Sequence, residues 1–444
     1  QTLRANREHP SQANGGGWTY NHQPMMAYWN GKFYMHFLSD PAEEHVPPSR
    51  TLMQVSEDGY NWSQPQILFP EYDVPADFRK AKYQPKPELQ YPDVYKQKPL
   101  KAIMHQRVGW YVSKGGILLA TGNYGVALDR KDDPNDGNGI GRVVREVKKD
   151  GSLGPIYFIY YNHGFNEKNT AYPNYKKASK AVRAACEEIL ANPRYRMQWV
   201  EEADRGEKLI PVNNGYKAYC DYTLPDGRIA SLWKHALTSL SLDGGNTYTT
   251  TNRALGFVNS NAKIWGQRLS DGTYATIYNP SEYRWPLGIS LSGDGLEYKT
   301  LNLICGEVPP MRYGGNYKSR GPQYVRGIQE GNGVPKDSDM WVSYSMNKED
   351  IWVAHVPVPV KTVATAHADD DFAQYQKLGD LKTWNIYSPL MAPVSLRQEW
   401  LELKDEDPFD YACVERKIPA SSYLKASFDV QAAQTRNGSL QIEF

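Results

Sequence analysis

A motif of paired β-runs recurs along this chain. In its first copy QPMMAYW is followed by Asn30-Gly31, then KFYMHFLSD, a loop, and RTLMQVSEDGYNW. The same order returns as GYKAYCDYTLP, Asp226-Gly227, RIASLW and TSLSLDGGNTYT, and again as KIWGQRLS, Asp271-Gly272, TYATIYN and GISLSGDGLEY. Looser copies run through IMHQRVGWYVS, Gly115-Gly116 and ILLATGNYGVAL, and through GPQYVRGIQ, GNG and MWVSYSMNKEDIWVAHV. Asn-Gly and Asp-Gly readily take the left-handed conformations that a tight hairpin turn needs, so each copy reads as a small antiparallel sheet. Sheets repeated in this way predict an all-β, radial architecture, a β-propeller. Five blades fit between residues 18 and 360; six or seven fit if 71–100 and 303–320 hold further strands.

Three copies end in Ser-x-Asp-Gly followed by an aromatic: Ser56, Asp58, Gly59 and Trp62; Ser241, Asp243, Gly244 and Tyr248; Ser292, Asp294, Gly295 and Tyr298. Here the chain resembles the Asp-box repeats of sialidase-like β-propellers, carbohydrate-active enzymes of bacteria. SLDGGNTY carries that motif in full. The resemblance implies that these aspartates are fold markers, accepting backbone hydrogen bonds at the outer hairpin of a blade.

The propeller, taken as a catalytic domain, is expected over residues 1–360. About 166–207 the pattern breaks: Val182, Ala185 and Ile189 stand at helical spacing between Pro173 and Pro193, which predicts an amphipathic helical insertion, packed against a blade or lying over it as a lid. Residues 361–444 change character, with a linker-like stretch and then alternating runs that read as a C-terminal β-sandwich. A strand-like run reaches the last residue, so the sandwich is expected to be incomplete.

Charge narrows the partners. Lys plus Arg number 51 against 50 Asp plus Glu, a net charge of +1, which gives no electrostatic reason for a nucleic-acid partner. No apolar run of about 18 residues occurs, so no membrane span is expected. Cys186, Cys220, Cys305 and Cys413 are far apart, in no C-x-x-C pair, and read as small buried hydrophobes rather than a zinc site or a dense disulfide framework. The aromatic excess, 32 Tyr and 12 Trp against 11 Phe, suits both strand packing and stacking on sugar rings. The start at Gln1, with neither Met nor an apolar leader, reads as a processed chain, secreted or periplasmic.

In a four-stranded blade, the start of the innermost strand and the loop after the second strand lie on one face near the axis. Reading those two places copy by copy gives the candidate site. His22, His105 and Tyr124 are candidate acid–base groups, with Glu43 and Glu44 as the nearest carboxylates. Gln23, His45, Arg107, His235, Lys263, Tyr283, Arg284, Arg320 and Arg326 are candidate substrate-binding groups. An axis rich in Arg, Lys and His favours an anionic ligand, because guanidinium forks match carboxylates. The sialidase family grips its substrate carboxylate with three arginines on the axis, and the resemblance implies a similar use here. The start of the first inner strand reads Asn21-His22-Gln23-Pro24, without the acid usual there in five-bladed glycosidases.

The expected activity is therefore a secreted, sialidase-like glycoside hydrolase removing an acidic sugar from an oligosaccharide or polysaccharide. Two alternatives remain open: a polysaccharide lyase acting at a uronic acid through His, Tyr and Arg, and a non-catalytic glycan-binding propeller. The chemistry requires no cofactor and no catalytic metal. A structural calcium is a further expectation in the loop DRKDDPNDGNG (129–139), whose spacing departs from an EF-hand.

Overall fold

In the computed structural model the described residues are 1–444 without 77, 79–91, 96, 105–108, 131, 135–136, 202, 204–206, 212–215, 362–363, 434–437 and 444. Five antiparallel sheets follow one another in chain order, one for each repeat copy. The first holds β1 (Tyr20–Trp29), β2 (Lys32–Asp40), β3 (Arg50–Ser56) and β4 (Gln66–Phe69). In the second, β5 (Ile103–Met104) and β6 (Gly109–Val112) are two pieces of an inner strand, both paired with β7 (Leu118–Gly125), followed by β8 (Gly139–Val147) and β9 (Leu153–Tyr161). The third comprises β10 (Cys220–Thr223), β11 (Ile229–Trp233), β12 (Leu237–Ser241) and β13 (Asn252–Arg253). The fourth comprises β14 (Trp265–Arg268), β15 (Tyr274–Tyr278), β16 (Leu287–Ser292) and β17 (Asn302–Cys305). The fifth has β18 (Pro322–Gly327), β19 (Met340–Met346) and β20 (Asp350–Val356).

The fifth blade gains its outer partner from the chain's first residues. Leu3 pairs with Ile351 and the two exchange N–H···O bonds, 3.3 and 3.0 Å. Leu3 thereby ties the first residues to the last blade and helps close the ring. Blades pack face to face, so inner strands are covered on both sides: all ten residues of β1 and all six of β18 are buried. That burial is why these strands lack a clean apolar–polar alternation. One core joins the third, fourth and fifth blades, and another joins the first and second.

The three Ser-x-Asp-Gly turns are built alike, between the third and fourth strands of their blades. Asp58 Oδ1 accepts from Tyr60 N and Asn61 N, both at 2.8 Å. Asp243 accepts from Asn246 N and Thr247 N, and Asp294 from Leu296 N and Glu297 N. The following aromatics pack inward: Tyr248 and Tyr298 meet the hydroxyls of Tyr219 and Tyr222 on inner strand β10 or just before it.

The insertion is helical over Lys180–Ala191 and Pro193–Met197, and it buries Val182, Ala185, Cys186 and Ile189. It is not a lid over the axial face. It packs at the hairpin end against the second, third and fifth blades: Glu188 takes Lys114 N, Arg194 pairs with Asp221 and Glu330, and Gln198 meets Gln329.

Beyond the propeller the expected sandwich takes the form of two small antiparallel sheets. Strand β21 (Trp384–Tyr387) pairs with β24 (Cys413–Arg416), and β22 (Val394–Arg397) with β23 (Trp400–Leu403). They dock on the ring through Tyr387 stacked on Trp352, centroids 4.6 Å apart, and through a buried Arg4–Asp407 ion pair. All four cysteines are free. Among the described residues no helix is long and apolar enough to cross a membrane.

Candidate functional site

On the axial face, non-glycine residues recur in an unusual backbone state. Gln23, Ala218 and Tyr324, at or just before the inner strands, have φ of 57°, 67° and 59°. His45, His235, Arg284 and Lys348, in loops after second strands, have φ of 69°, 64°, 61° and 56°. Non-glycine residues in the left-handed region carry strain of about 1–3 kcal/mol each and gather where function over-determines the backbone. In β1 and β18 the irregularity is a break in register with the second strand, between His22 and Met25 and between Gln323 and Arg326. Such bulges re-aim side chains. Here they bring His22 and Tyr324 together.

Tyr324 is the centre of the arrangement. The His22 ring lies 4.3 Å from the Tyr324 ring at 32°. Lys234 Nζ donates to the phenol oxygen at 3.1 Å. Lys263 Nζ, Arg284 Cζ and Lys348 Nζ stand 5.1, 5.3 and 5.7 Å from the ring centroid. Burial pushes the phenol up, but Lys234, Arg284 and Lys348 outweigh it and bring it down to about 7, with Glu44 opposing them. Tyr324 is therefore substantially a phenolate near neutral pH.

His22 is the complementary case. Burial, then Lys348, Lys263, Arg284 and Lys234, hold its imidazole well below the usual histidine range, so it is neutral. Its Nδ1 faces Ser345 Oγ at 2.6 Å, and its buried Nε2 has no hydrogen-bond partner among the described residues. A ligand oxygen would satisfy it.

The carboxylates lie to one side. Glu44 pairs with Lys348 Nζ at 2.6 Å, with His45 Nε2 at 3.8 Å. Asp40, capped by the Ser49 hydroxyl, is pushed well above the carboxylate range by burial, with the Glu44 charge adding to it. Tyr20, opposite Asp40 in the β1–β2 register, faces this pair. A buried acid whose carboxyl is pushed up, beside a second carboxyl group, is an arrangement suited to passing a proton.

Of the residues expected from the sequence, His22, Glu44, Lys263 and Arg284 converge on Tyr324, with His45 and His235 on the rim. Arg284 is fixed by Gln323 and Asn261, with bonds of 2.7 and 2.9 Å. Others are placed elsewhere. Glu43 is held by Arg130 at 2.9 Å and by Asn316 N. Tyr124 belongs to the second blade's core, its hydroxyl donating to Pro70 O and its ring stacked on Tyr72. Arg326 is buried and donates to the carbonyls of Ile264 and Ala218, so it ties inner strands together. Gln23 is buried and lines the narrow channel below the site. Arg320 is exposed, and Tyr283, 69% exposed, stands on the rim. His105 and Arg107 lie outside the described residues. In the 129–139 loop, Asp132 accepts from Leu128 N and Asp129 from Asp132 N. The groups of three metal-capable side chains among the described residues lie elsewhere, at Glu307, Cys413 and Glu415 and at Asp337, Asp339 and His355.

Tyr324 is the member that the residue-type search did not select, whereas Lys234 and Lys348 stand in the loops after second strands to which that search pointed. Tyr324 stood two residues before Arg326, which was singled out for its charge. Its position at a repeat-equivalent inner-strand start was the signal available.

This fold, a five-bladed ring with its polar residues gathered on the axial face, is that of the sialidase-like β-propellers. Residues 1–216 match the family model of the BT_1020-like N-terminal β-propeller, and residues 384–444 match that of the sialidase-like CBM domain. A solved structure named "Sialidase" is 67% identical, with a TM-score of 0.89, over 95% of this chain and 38% of that one. The chain thus spans 38% of the length of that relative. A protein of unknown function from Dyadobacter fermentans DSM 18053 aligns at 15% identity, TM-score 0.43, over 80% of this chain and 96% of that one. No curated protein sequence matches.

Proposed function

We propose that this propeller is the catalytic unit of a glycoside hydrolase that removes an acidic sugar from a complex polysaccharide, with Tyr324 as nucleophile. One observation carries the reading: a buried phenol, hydrogen-bonded by Lys234 and ringed by further cations, that ionises near neutrality. A phenolate is a competent covalent nucleophile, and tyrosine takes that role in some glycosidases. It would attack the anomeric carbon as the bond to the leaving oxygen breaks. The Asp40–Glu44 pair would give the leaving oxygen its proton and later take one from the water that releases the sugar. Arg284 and Lys263 would hold the sugar carboxylate, in place of the three arginines the family resemblance implied. The name of the 67%-identical relative agrees with an ulosonic acid as the sugar removed. A secreted or periplasmic location accompanies a polysaccharide substrate, and domain limits of 1–360 and 361–444 accompany this assignment.

A second reading rests on His22 Nε2, buried without a partner among the described residues, beside the same phenolate. A lyase would use Tyr324 or His22 to take the C5 proton of a uronate whose carboxylate the cations neutralise.

One experiment separates them. The protein is incubated with uronate- and ulosonate-capped plant and host glycans, following ultraviolet absorbance of an unsaturated uronate beside release of free acidic sugar. Free sugar without absorbance is expected. Absorbance without a water-added product would establish elimination and sink the hydrolase. Binding with neither product would make the propeller a glycan-binding module.

A further inference from the structure

The seam where the ring closes carries a cluster that the axial chemistry does not use. At the hairpin end of the fifth blade, Asp337 and Asp339 immediately precede β19, and His355 stands opposite Trp341 near the end of β20. His355 Nε2 lies 2.7 Å from Asp339 Oδ2 and 3.7 Å from Asp337 Oδ2. All three atoms fall within 4.8 Å of one another. Ligand atoms around a tetrahedral ion at about 2.0–2.1 Å are themselves about 3.3 Å apart, a separation that the two histidine distances bracket.

Each of the three side chains is braced from behind. His355 Nδ1 meets the Tyr60 hydroxyl at 2.7 Å, and the ring lies on Trp341, centroids 4.3 Å apart at 13°. With a proton on Nδ1 donated to Tyr60 Oη, Nε2 keeps its lone pair for a metal. Asp339 Oδ1 accepts from Val358 N at 2.8 Å, which turns Oδ2 to the cluster. Trp341 Nε1 donates to the two Asp337 oxygens at 3.3 and 3.1 Å. Asp339 is buried, whereas the Asp337 side chain is 35% exposed and gives an ion a way in.

Charge points the same way. Even with His355 protonated, two carboxylates leave the cluster negative, and among the described residues no Lys or Arg pairs with either. Burial pushes the neighbouring Tyr60 phenol up, and Asp337, Asp339, Asp380 and Asp58 push it further. A cation supplies the charge that these side chains lack. Imidazole beside carboxylates selects a divalent ion of intermediate hardness such as zinc, over calcium or magnesium, which take oxygen ligands.

We propose that Asp337, Asp339 and His355 form a structural site for a zinc-like divalent ion, and that the ion locks the fifth blade to the first. Tyr60, behind His355, belongs to the first blade's Ser-x-Asp-Gly turn, and Gly59 of that turn lies against the Trp341 ring. Val358 opens the segment that leads to the C-terminal sheets. Leu3 closes the seam near the start of β20, and the ion would close it near the end of that strand.

The test uses the full chain, stripped with a chelator and dialysed, then titrated by calorimetry with zinc chloride and separately with calcium chloride. Zinc binding at a single tight site is expected, without competition from calcium. Asp337→Asn, at the exposed position, and Asp339→Asn are each expected to weaken zinc about tenfold or more. Tyr60→Phe, which removes the group that orients His355, is expected to weaken it about tenfold. Saturating zinc should raise the thermal unfolding midpoint of the wild type by a few degrees and leave that of Asp337→Asn where it was. If Asp339→Asn fails to fold, Asp337→Asn and Tyr60→Phe still decide. Zinc that binds both of these as tightly as the wild type lies elsewhere and would overturn the site. No zinc uptake, a preference for calcium, or binding that leaves the midpoint unmoved would overturn it as well.

Discussion

The two ends of this propeller are made from the same repeats by opposite means. At the hairpin end, Asp58, Asp243 and Asp294 do one thing three times: each gathers backbone N–H groups within a tight turn. At the axial end, equivalent positions hold different residues in each blade, among them His22, Lys234, Arg284, Tyr324 and Lys348, and four of the loops put a non-glycine residue at positive φ. Turn chemistry is local, so one solution serves every blade. A site is a meeting of blades, so each must contribute something different, at some strain.

The sharpest way to break this contrast is at Tyr324. Tyr324→Phe removes one oxygen and keeps the ring against His22. If the axial end exists for chemistry, turnover falls by roughly a thousandfold or more, as for loss of a nucleophile, while the unfolding midpoint barely moves. Steady-state kinetics beside thermal unfolding read both. Retained turnover would mean that the phenol only packs.

A smaller effect is expected at Lys234. Its hydrogen bond favours the phenolate, so Lys234→Met raises the phenol's pKa from about 7. Turnover that depends on phenolate rises as pH passes through that value, so the acidic limb of the kcat/KM profile moves to higher pH in the variant. The shift should be about one pH unit, the size of one charge-assisted hydrogen bond, ~1.5 kcal/mol. An unmoved limb would assign the ionisation to another group.

The same contrast explains what could be read from the residues alone. Asn30-Gly31, Asp226-Gly227 and Asp271-Gly272 fix two-residue turns through local backbone preference, and five blades followed from them. Val182, Ala185 and Ile189 exposed the insertion helix because helical spacing is also local. Which end of the ring that helix would pack against was not legible, since it depends on Glu188 and Arg194 finding Lys114 and Glu330 from other blades. At the site, residue type selected His22, Glu44, Lys263 and Arg284. It passed over Tyr324 because simple strand alternation gives no hint of a bulge at Gln323–Arg326. It selected Arg326 because an arginine on an inner strand looks like a ligand for carboxylates, yet its donors are occupied by the carbonyls of Ile264 and Ala218.

The smallest predicted effect lies at the hairpin end and sharpens the comparison from the other side. Asp58 accepts from Tyr60 N, Asn61 N, Asn61 Nδ2 and Ser56 Oγ. Burial pushes its carboxyl up, but these hydrogen bonds outweigh it and hold the group below the usual range. A carboxyl depressed on folding adds stability that is present at neutral pH and lost as pH falls through its folded value. Asp58→Ala should therefore lower stability at pH 7 by about 1 kcal/mol, the usual size for a lost Asp cap, and flatten the acid side of the stability profile. Denaturant unfolding between neutral and acid pH would show both. Turnover should be unchanged at temperatures where the fold holds, because Asp58 lies at the end of the blade away from Tyr324. A loss of turnover matching the loss at the axial end would mean that the two ends are coupled through the strands, and that the division of labour drawn here is wrong.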